Sequence, residues 1–372
     1  MRSQVLLRVI SLLLILSLST LAQIGSGLDE ERRKKKKKPS KKDLEPVTQV
    51  LPLPKDLPSA IAVEPQRLVF HVSPLSNKGL LTQQTREAIK AIWTSTKGAT
   101  IVKLRAFVAG SGDSRRIQTL VSEMFAERRL PLPVVSTILV GSLGMEGSQI
   151  LLESVSVEKK IVNPNGLLFI SGKGGKSYAD AMDQLRLTVK SMGGVDADLL
   201  RVTCYVNAFE IANPDRRMAG PAYTVVQMRR EASPVVAECE AIARAAKAQA
   251  EPVKLINPAG LPTSPNFSQL ASVSAPRIVF SNLQLAFQAQ EADVRLAFDR
   301  LGKTLESQGV TYKNVFMTSI YALTQESIDR VRSVRFNYLD KSNPPAATLL
   351  PFEGLPSLDA SFGIEVVAVG GQ

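Results

Sequence analysis

From about residue 60 onward, short runs of β-branched and aromatic residues alternate with longer stretches that place an apolar residue every three or four positions. The cycle repeats three times. Its opening runs are Arg67–Val72, Gly166–Gly172 and Arg277–Asn282, each bounded by turn-forming residues, and each predicts a strand. A one-sided apolar stripe follows each run: Ile89, Ile92 and Trp93, then Met182, Leu185, Val189 and Met192, then Val294, Phe298, Leu301 and Leu305. Such stripes predict helices lying on a sheet. Second strands are expected at Val102–Val108, Leu200–Val206 and Val315–Tyr321, and second, more polar helices at Arg115–Arg128, Pro214–Arg230 and Gln325–Leu339. Proline-led strands come next, at Pro131–Thr137, Ser233–Val236 and Pro344–Thr348. The closing strands, Leu151–Val155, Glu238–Ala243 and Ile364–Val369, each carry an acid among apolar residues: Glu153, Glu240 and Glu365.

This order predicts an α+β module in three tandem copies, at 59–160, 161–250 and 251–372, with the second shortened between Pro234 and its last strand. Helices cover one face of each mixed sheet, and the opposite apolar face needs a partner. Three such faces cover one another in a closed ring. The expected architecture is therefore an intrachain pseudo-trimer, sheets inside and helices outside, monomeric in solution.

The start of the chain reads differently. Arg2 and Arg8 precede an apolar run from Val9 to Leu18, and Thr20-Leu21-Ala22 offers small residues where a signal peptidase cuts. Residues 1–22 are expected to be a signal peptide cleaved after Ala22, exporting the chain to a periplasm or the extracellular space with no membrane span left behind. Residues 23–58 combine a basic run with a proline-rich stretch and read as a disordered tether. The segment Arg32–Lys42 holds nine positive charges and no negative one. It reads as a solvated spacer, with adhesion to an anionic envelope surface as the functional alternative.

Formal net charge is +12, and residues 1–45, with eleven basic and five acidic side chains, account for half of it. The remainder is only mildly basic, so no specific nucleic-acid surface is expected. A single histidine, His71, rules out a multi-histidine metal site, and no metal or cofactor is expected. His71 itself reads as a packed strand residue. Cys204 and Cys239 lack metal-ligand spacing. The default reading is two buried thiols, with a single bridge open to them in an oxidising compartment. Gly172–Lys176 follows a strand but matches neither phosphate-binding glycine spacing, and reads as a turn.

These modules resemble the RidA (YjgF-like) family, whose fold is chorismate-mutase-like. The third copy carries the resemblance best: Pro265-Asn-Phe-Ser-Gln269, Ser281-Asn282, Pro345-Ala-Ala-Thr348 and Ile364-Glu-Val-Val-Ala-Val369 are similar to family motifs. The second keeps Ile170-Ser-Gly172 and Glu238-Cys-Glu-Ala-Ile-Ala243, and the first keeps Pro133-Val-Val-Ser-Thr137. The resemblance implies homotrimer-like packing, ligand clefts between modules, and hydrolysis of enamines and imines in active members. In those members an arginine after Pro-Ala binds the substrate carboxylate.

Here that position falls on Val135, Val236 and Ala347, so no copy supplies the guanidinium. The family's cleft glutamate falls on Leu151, Glu238 and Gly363, which leaves Glu238 as the catalytic candidate. Phe267, Ser281, Asn282, Ala347, Gly172, Val236 and Val135 are the cleft candidates. The leading expectation is a small-molecule-binding protein without standard imine deaminase activity. A residual or altered deaminase and a cell-envelope scaffold are the alternatives. Among Arg201, Arg216, Arg217, Arg229 and Arg230, one side chain is a candidate to replace the lost arginine from another direction. The three recurrent glutamates read first as anchors at the module interface and second as cleft bases.

Overall fold

The computed structural model describes residues 55–214, 220–231, 233–288 and 290–370. The expected signal peptide, the Arg32–Lys42 run, Arg216 and Arg217 lie outside them. The first third holds β1 (Ala60–Val63), β2 (Leu68–Val72), α1 (Leu81–Thr96), β3 (Thr100–Val108), α2 (Arg116–Glu127), β4 (Val134–Leu139) and β5 (Ile150–Val157). The middle third holds β6 (Leu167–Gly175), α3 (Tyr178–Ser191), β7 (Leu199–Val206), α4 (Phe209–Ala212), β8 (Ala222–Gln227) and β9 (Ala237–Arg244). The last holds β10 (Val253–Ile256), β11 (Leu270–Val273), β12 (Ile278–Ser281), β13 (Gln284–Phe287), α5 (Glu291–Glu306), β14 (Val315–Ala322), α6 (Gln325–Val334), β15 (Ala346–Pro351) and β16 (Ala360–Val369). No helix among the described residues is long and apolar enough to cross a membrane.

Three mixed sheets share one internal order. The opening strand pairs antiparallel with the closing strand, which pairs antiparallel with the second strand, which pairs parallel with the strand after it: β2-β5-β3-β4, β6-β9-β7-β8 and β12-β16-β14-β15. The register repeats residue for residue. Arg105 faces Glu153 and Ser136, Thr203 faces Glu240 and Thr224, and Ser319 faces Glu365 and Thr348. Each second strand also shifts register by one residue against its closing strand, at Ile101/Lys103, Leu199/Arg201 and Val315/Met317.

The middle third differs from the sequence expectation. The described residues of Pro214–Arg230 form no helix: α4 spans four residues before the segment and ends at Asn213, which takes the left-handed conformation, and Ala222–Gln227 is the strand β8. Its sequence Ala-Tyr-Thr-Val-Val-Gln is rich in the branched and aromatic residues that suit a pleated surface, and Val225 and Val226 are buried. Ser233–Val236 is not a strand. The parallel strand is thus present.

Opening strands also cross between sheets. β1 pairs with β12 of the last third, Ala60 opposite Ser281. β11 pairs with β6 of the middle third, and β10 extends that edge. Among the described residues the sheet of the first third receives no such strand; Asn163 donates its side-chain amide to Leu68 O and Pro65 O beside β2.

Three apolar clusters lie between helices and sheet, one per third. Two more draw on all three sheets. One unites Phe70, Phe169, Ile242, Phe280 and Phe316; the other unites Phe107, Tyr205, Tyr321 and Phe352. The helix-free faces therefore cover one another, and a band of polar side chains separates the two shared clusters.

Candidate functional site

That polar band is built by the repeated register. Strand periodicity puts every second residue on one face, so Lys103, Arg105 and Phe107 of β3 meet Arg201, Thr203 and Tyr205 of β7 and Met317, Ser319 and Tyr321 of β14. Arg105 is the hub. Its Nε donates to Glu153 at 2.8 Å, its Nη1 to Glu240 at 2.9 Å and to the Tyr321 hydroxyl at 3.2 Å, and its Nη2 to Thr203 at 2.9 Å. Lys103 donates to Glu365 at 2.7 Å and to Ser281 O at 2.9 Å. Ser136 and Tyr321 also donate to Glu365, Thr348 and Tyr205 to Glu240, and Thr203 to Glu153.

Each recurrent glutamate is thus an acceptor at the meeting of the three sheets. Burial works against the charge of Glu153, but Arg105 outweighs it and holds the carboxyl below the ordinary carboxylate range. Glu365 is treated the same way by Lys103 and Arg105. Burial lowers Lys103, with Glu365 opposing. Arg105 is only 4% exposed and Glu153 3%. The void beside them, about 30 Å³ between Lys103, Arg105, Arg201 and Glu365, has room for little more than a water, and the buried hydrogen-bond network around Arg105 favours one arrangement of the sheets.

Glu238 occupies a different place. It sits in β9 opposite Gly174, and its carboxylate lies over the Cα of Gly172, where a Cβ would come within 1.9 Å of Oε1. Gly172 belongs to β6, so the glycine-rich run is bulged strand rather than turn. Burial, reinforced by Glu240, pushes the Glu238 carboxyl up to about 7, with Lys173 opposing. Burial lowers Lys173 to about 8. Lys173 donates to Gln269 O at 3.1 Å and to the Gln269 side chain.

Glu238 lines a cleft of about 190 Å³ between the middle and last thirds. Asn207, Arg229, Glu231 and Ser233 form one wall; Gln325, Arg332 and Leu349 form the other. Asn207 clamps the loop after β8 by accepting from Glu231 N and donating to Glu231 O. Arg229 spans the gap, donating from Nη1 to Leu323 O at 2.5 Å. Arg332 holds Asp329 from the solvent side at 3.4 Å. Glu231 lies 3.8 Å from Arg229 Nε and shares its charge; the two guanidiniums, with the Glu238 carboxyl of raised affinity for protons, can bind an anionic group and exchange a proton with it.

The other sequence candidates fall into three groups. Gly172 and Val236 lie beside Glu238, Val236 donating its N–H to Gly175 O, and Ala347 N donates to the Ser171 hydroxyl next to Gly172. Ser281 and Asn282 stand where the first and last thirds meet: Ser281 O accepts from Lys103, and Asn282 N donates to Ser59 O. Phe267 precedes Ser268, which bonds to Pro344 and Pro345. Val135 packs into the core under α1 and α2. By register, Val135 opposite Leu104 and Ala347 opposite Thr318 correspond to Tyr223 opposite Val202, so Tyr223 and not Val236 is the middle equivalent. None of the three is an arginine.

Cys204 and Cys239 face each other across β7 and β9 and form a disulfide, which corrects the default reading of two thiols. Among the described residues no cluster of three or more acidic, histidine or cysteine side chains could hold a metal.

Arg105 and Lys103 were not singled out from sequence, although two cations inside the apolar run Val102–Val108 are a legible signal of a buried ionic partner. Arg332 gave no signal, because it sits on an amphipathic helix among other charges.

No curated protein matches the chain. Among solved structures, YyfB of the conserved Rid family from Yersinia pestis is 18% identical, covering 32% of this chain and 99% of that one at a TM-score of 0.29. A member of the YjgF/YER057c/UK114 family from Mycobacterium tuberculosis is 22% identical, covering 25% and 78% at 0.23. A putative endoribonuclease from Thermotoga maritima is 22% identical, covering 31% and 91% at 0.24. Residues 269–370 match the family model described as Endoribonuclease L-PSP, and in that segment the chain is similar to that family.

Proposed function

We propose that the chain is a fused triplet of RidA-like modules, a pseudo-trimer within one polypeptide, that binds a small anionic molecule in the cleft at Glu238. The observation that carries this reading is the convergence of Glu238, Arg229 and Arg332 on one cavity between the middle and last thirds. Arg229 supplies from the end of β8 the charge that Val135, Tyr223 and Ala347 do not supply from the family position. Carboxylates are the ligand class, because a planar guanidinium meets them with two parallel hydrogen bonds. Standard imine deamination is not the proposed activity, since its carboxylate-binding arginine is replaced in all three modules. The repeated register of Arg105, Thr203 and Ser319 supports the triplet reading. The family description's RNA cleavage is not carried over, because the chain beyond residue 45 is only mildly basic and offers no strong case for a nucleic-acid surface. Export, a chain acting as a monomer, and a cationic tether facing an anionic surface complete the proposal. The Cys204–Cys239 bond supports export, as such bonds persist in oxidising compartments.

Calorimetric titration with pyruvate, succinate and glycine tests the reading. Saturable binding of a carboxylate, weakened about tenfold by Arg229→Ala or Arg332→Ala, is the expected result; tenfold corresponds to about 1.4 kcal/mol. Binding that ignores both substitutions removes it. A second reading is favoured by the Glu238 carboxyl at about 7: Glu238 takes a proton from water attacking an imine. Imine hydrolysis that is lost in Glu238→Gln while carboxylate binding persists selects that reading.

A further inference from the structure

An open cavity lies at the C-terminal ends of α1 and α2 in the first third. In the last third the approach to β14 carries an aromatic ring, Tyr312, five residues before Met317. Its ring packs against Phe298 and Tyr338 at centroid distances of 6.2 and 5.3 Å, and its hydroxyl donates to Phe298 O. Met317 corresponds by register to Lys103, and five residues before Lys103 stands Gly98. Gly98 has no side chain, a φ of +90°, and nothing within 4 Å of the place a Cβ would take.

The cavity is about 230 Å³ and is lined chiefly by Trp93, Thr96, Ala99, Ile101, Phe125 and Arg128. An apolar cavity of roughly 150 Å³ is enough to hold benzene, so this one admits an aromatic ring with a substituent. Trp93 and Phe125 form one wall, ring centroids 5.4 Å apart. The Arg128 guanidinium lies 4.0 Å over the Trp93 ring and has no carboxylate partner among the described residues. Trp93 Nε1 is buried and has no acceptor. The site thus offers an apolar slot with an unpaired cation at its mouth and an unsatisfied donor in its wall. All of its lining residues come from the first third, away from Glu238.

We propose that this cavity binds an aryl carboxylate, with the ring against Trp93 and Phe125 and the carboxylate on Arg128. Aromatic packing supplies the affinity and the guanidinium the choice of charge.

Trp93 is the one tryptophan of the chain, so its fluorescence reports on the site directly. The full chain is titrated with phenylacetate and, separately, with benzyl alcohol. The expected result is a saturable change in Trp93 emission, with a midpoint for phenylacetate at least fivefold below that for benzyl alcohol. Arg128→Gln removes that preference, and Ala99→Phe, which fills the slot, abolishes the response while far-ultraviolet circular dichroism stays native. The absence of a saturable response by both fluorescence and ligand-observed NMR overturns the proposal. So does a phenylacetate response unchanged in Arg128→Gln or in a folded Ala99→Phe variant. None of these readouts depends on the Glu238 cleft.

Discussion

Arg105 and Glu240 stand 135 residues apart in the sequence and 2.9 Å apart in the fold. The same guanidinium bonds Glu153 of its own sheet and the Tyr321 hydroxyl of the third. One side chain therefore ties together all three sheets. Its register equivalents, Thr203 and Ser319, are small hydroxyl residues. Three arginines at that place would crowd one another with like charge. A fused chain is free to use one arginine and two short neighbours, which a homotrimer with identical subunits is not.

Removing that side chain leaves buried carboxylates without their cation. Arg105→Met is expected to destabilise the fold by about 3–5 kcal/mol, the cost of breaking a buried ion pair from one side. Urea denaturation followed by circular dichroism measures it. A loss under about 1 kcal/mol, the range of surface pairs, would show the hub to be energetically idle.

The hub also fixes an acid limit. Glu153 and Glu365 are held below their ordinary 4.5. A carboxyl with a lowered folded pKa adds stability that is present above the unfolded pKa and disappears as pH falls through the folded one. Melting temperature is expected to drop steeply as pH goes below about 4.5, and Arg105→Met is expected to flatten that drop. Thermal melts from pH 7 down to 2 decide it.

Glu238 acts in the opposite direction. Its folded pKa, about 7, lies above the ordinary 4.5. Its contribution is fully present below about 4.5 and lost as pH rises through 7. Glu238→Gln is expected to remove the part of the pH dependence between those values and to leave the acid limb unchanged. A variant whose stability profile matches the parent across pH 4.5–7 contradicts the assignment.

The Gly172 backbone is the floor under the Glu238 carboxylate. Gly172→Ala puts a methyl group 1.9 Å from Oε1, so the carboxylate has to move. Overpacking of this kind costs about 1–3 kcal/mol. The expected outcome is a lower melting temperature together with loss of carboxylate binding in the cleft, read by calorimetry.

Cys204 and Cys239 close a loop with a sequence separation of 35. Replacing both with serine is expected to cost about 2–4 kcal/mol, and intact mass before and after reduction confirms the bond in the parent. Full stability in the double variant would reduce the disulfide to an ornament of the second core.

Much of this architecture was legible from pattern alone. The periodic stripes located α1, α3 and α5, and the β-branched runs located β3, β7 and β14, because burial on one face leaves a clear trace in sequence. Pro214–Arg230 was misread because the charges of Arg216, Arg217, Arg229 and Arg230 gave it the polarity of an exposed helix, while the strand inside it, Ala222–Gln227, spans six residues. That error moved the arginine position to Val236. The exchange of β1 and β11 between sheets left no trace, because four-residue strands carry no partner information. Glu238 was found by resemblance and Arg229 was among the candidate replacement arginines; Arg332 joins them in one cleft only through the packing of two thirds, which no local pattern encodes.

The pairing of β1 with β12 has a consequence for biosynthesis. Ala60 emerges from the ribosome long before Ser281, its partner, so the earliest strand waits unpaired until the final third has been made. Maturation then includes a clasp between a strand of the first third and one of the last. Deleting Ala60–Val63 would injure the sheet of the last third rather than the segment next to the cut.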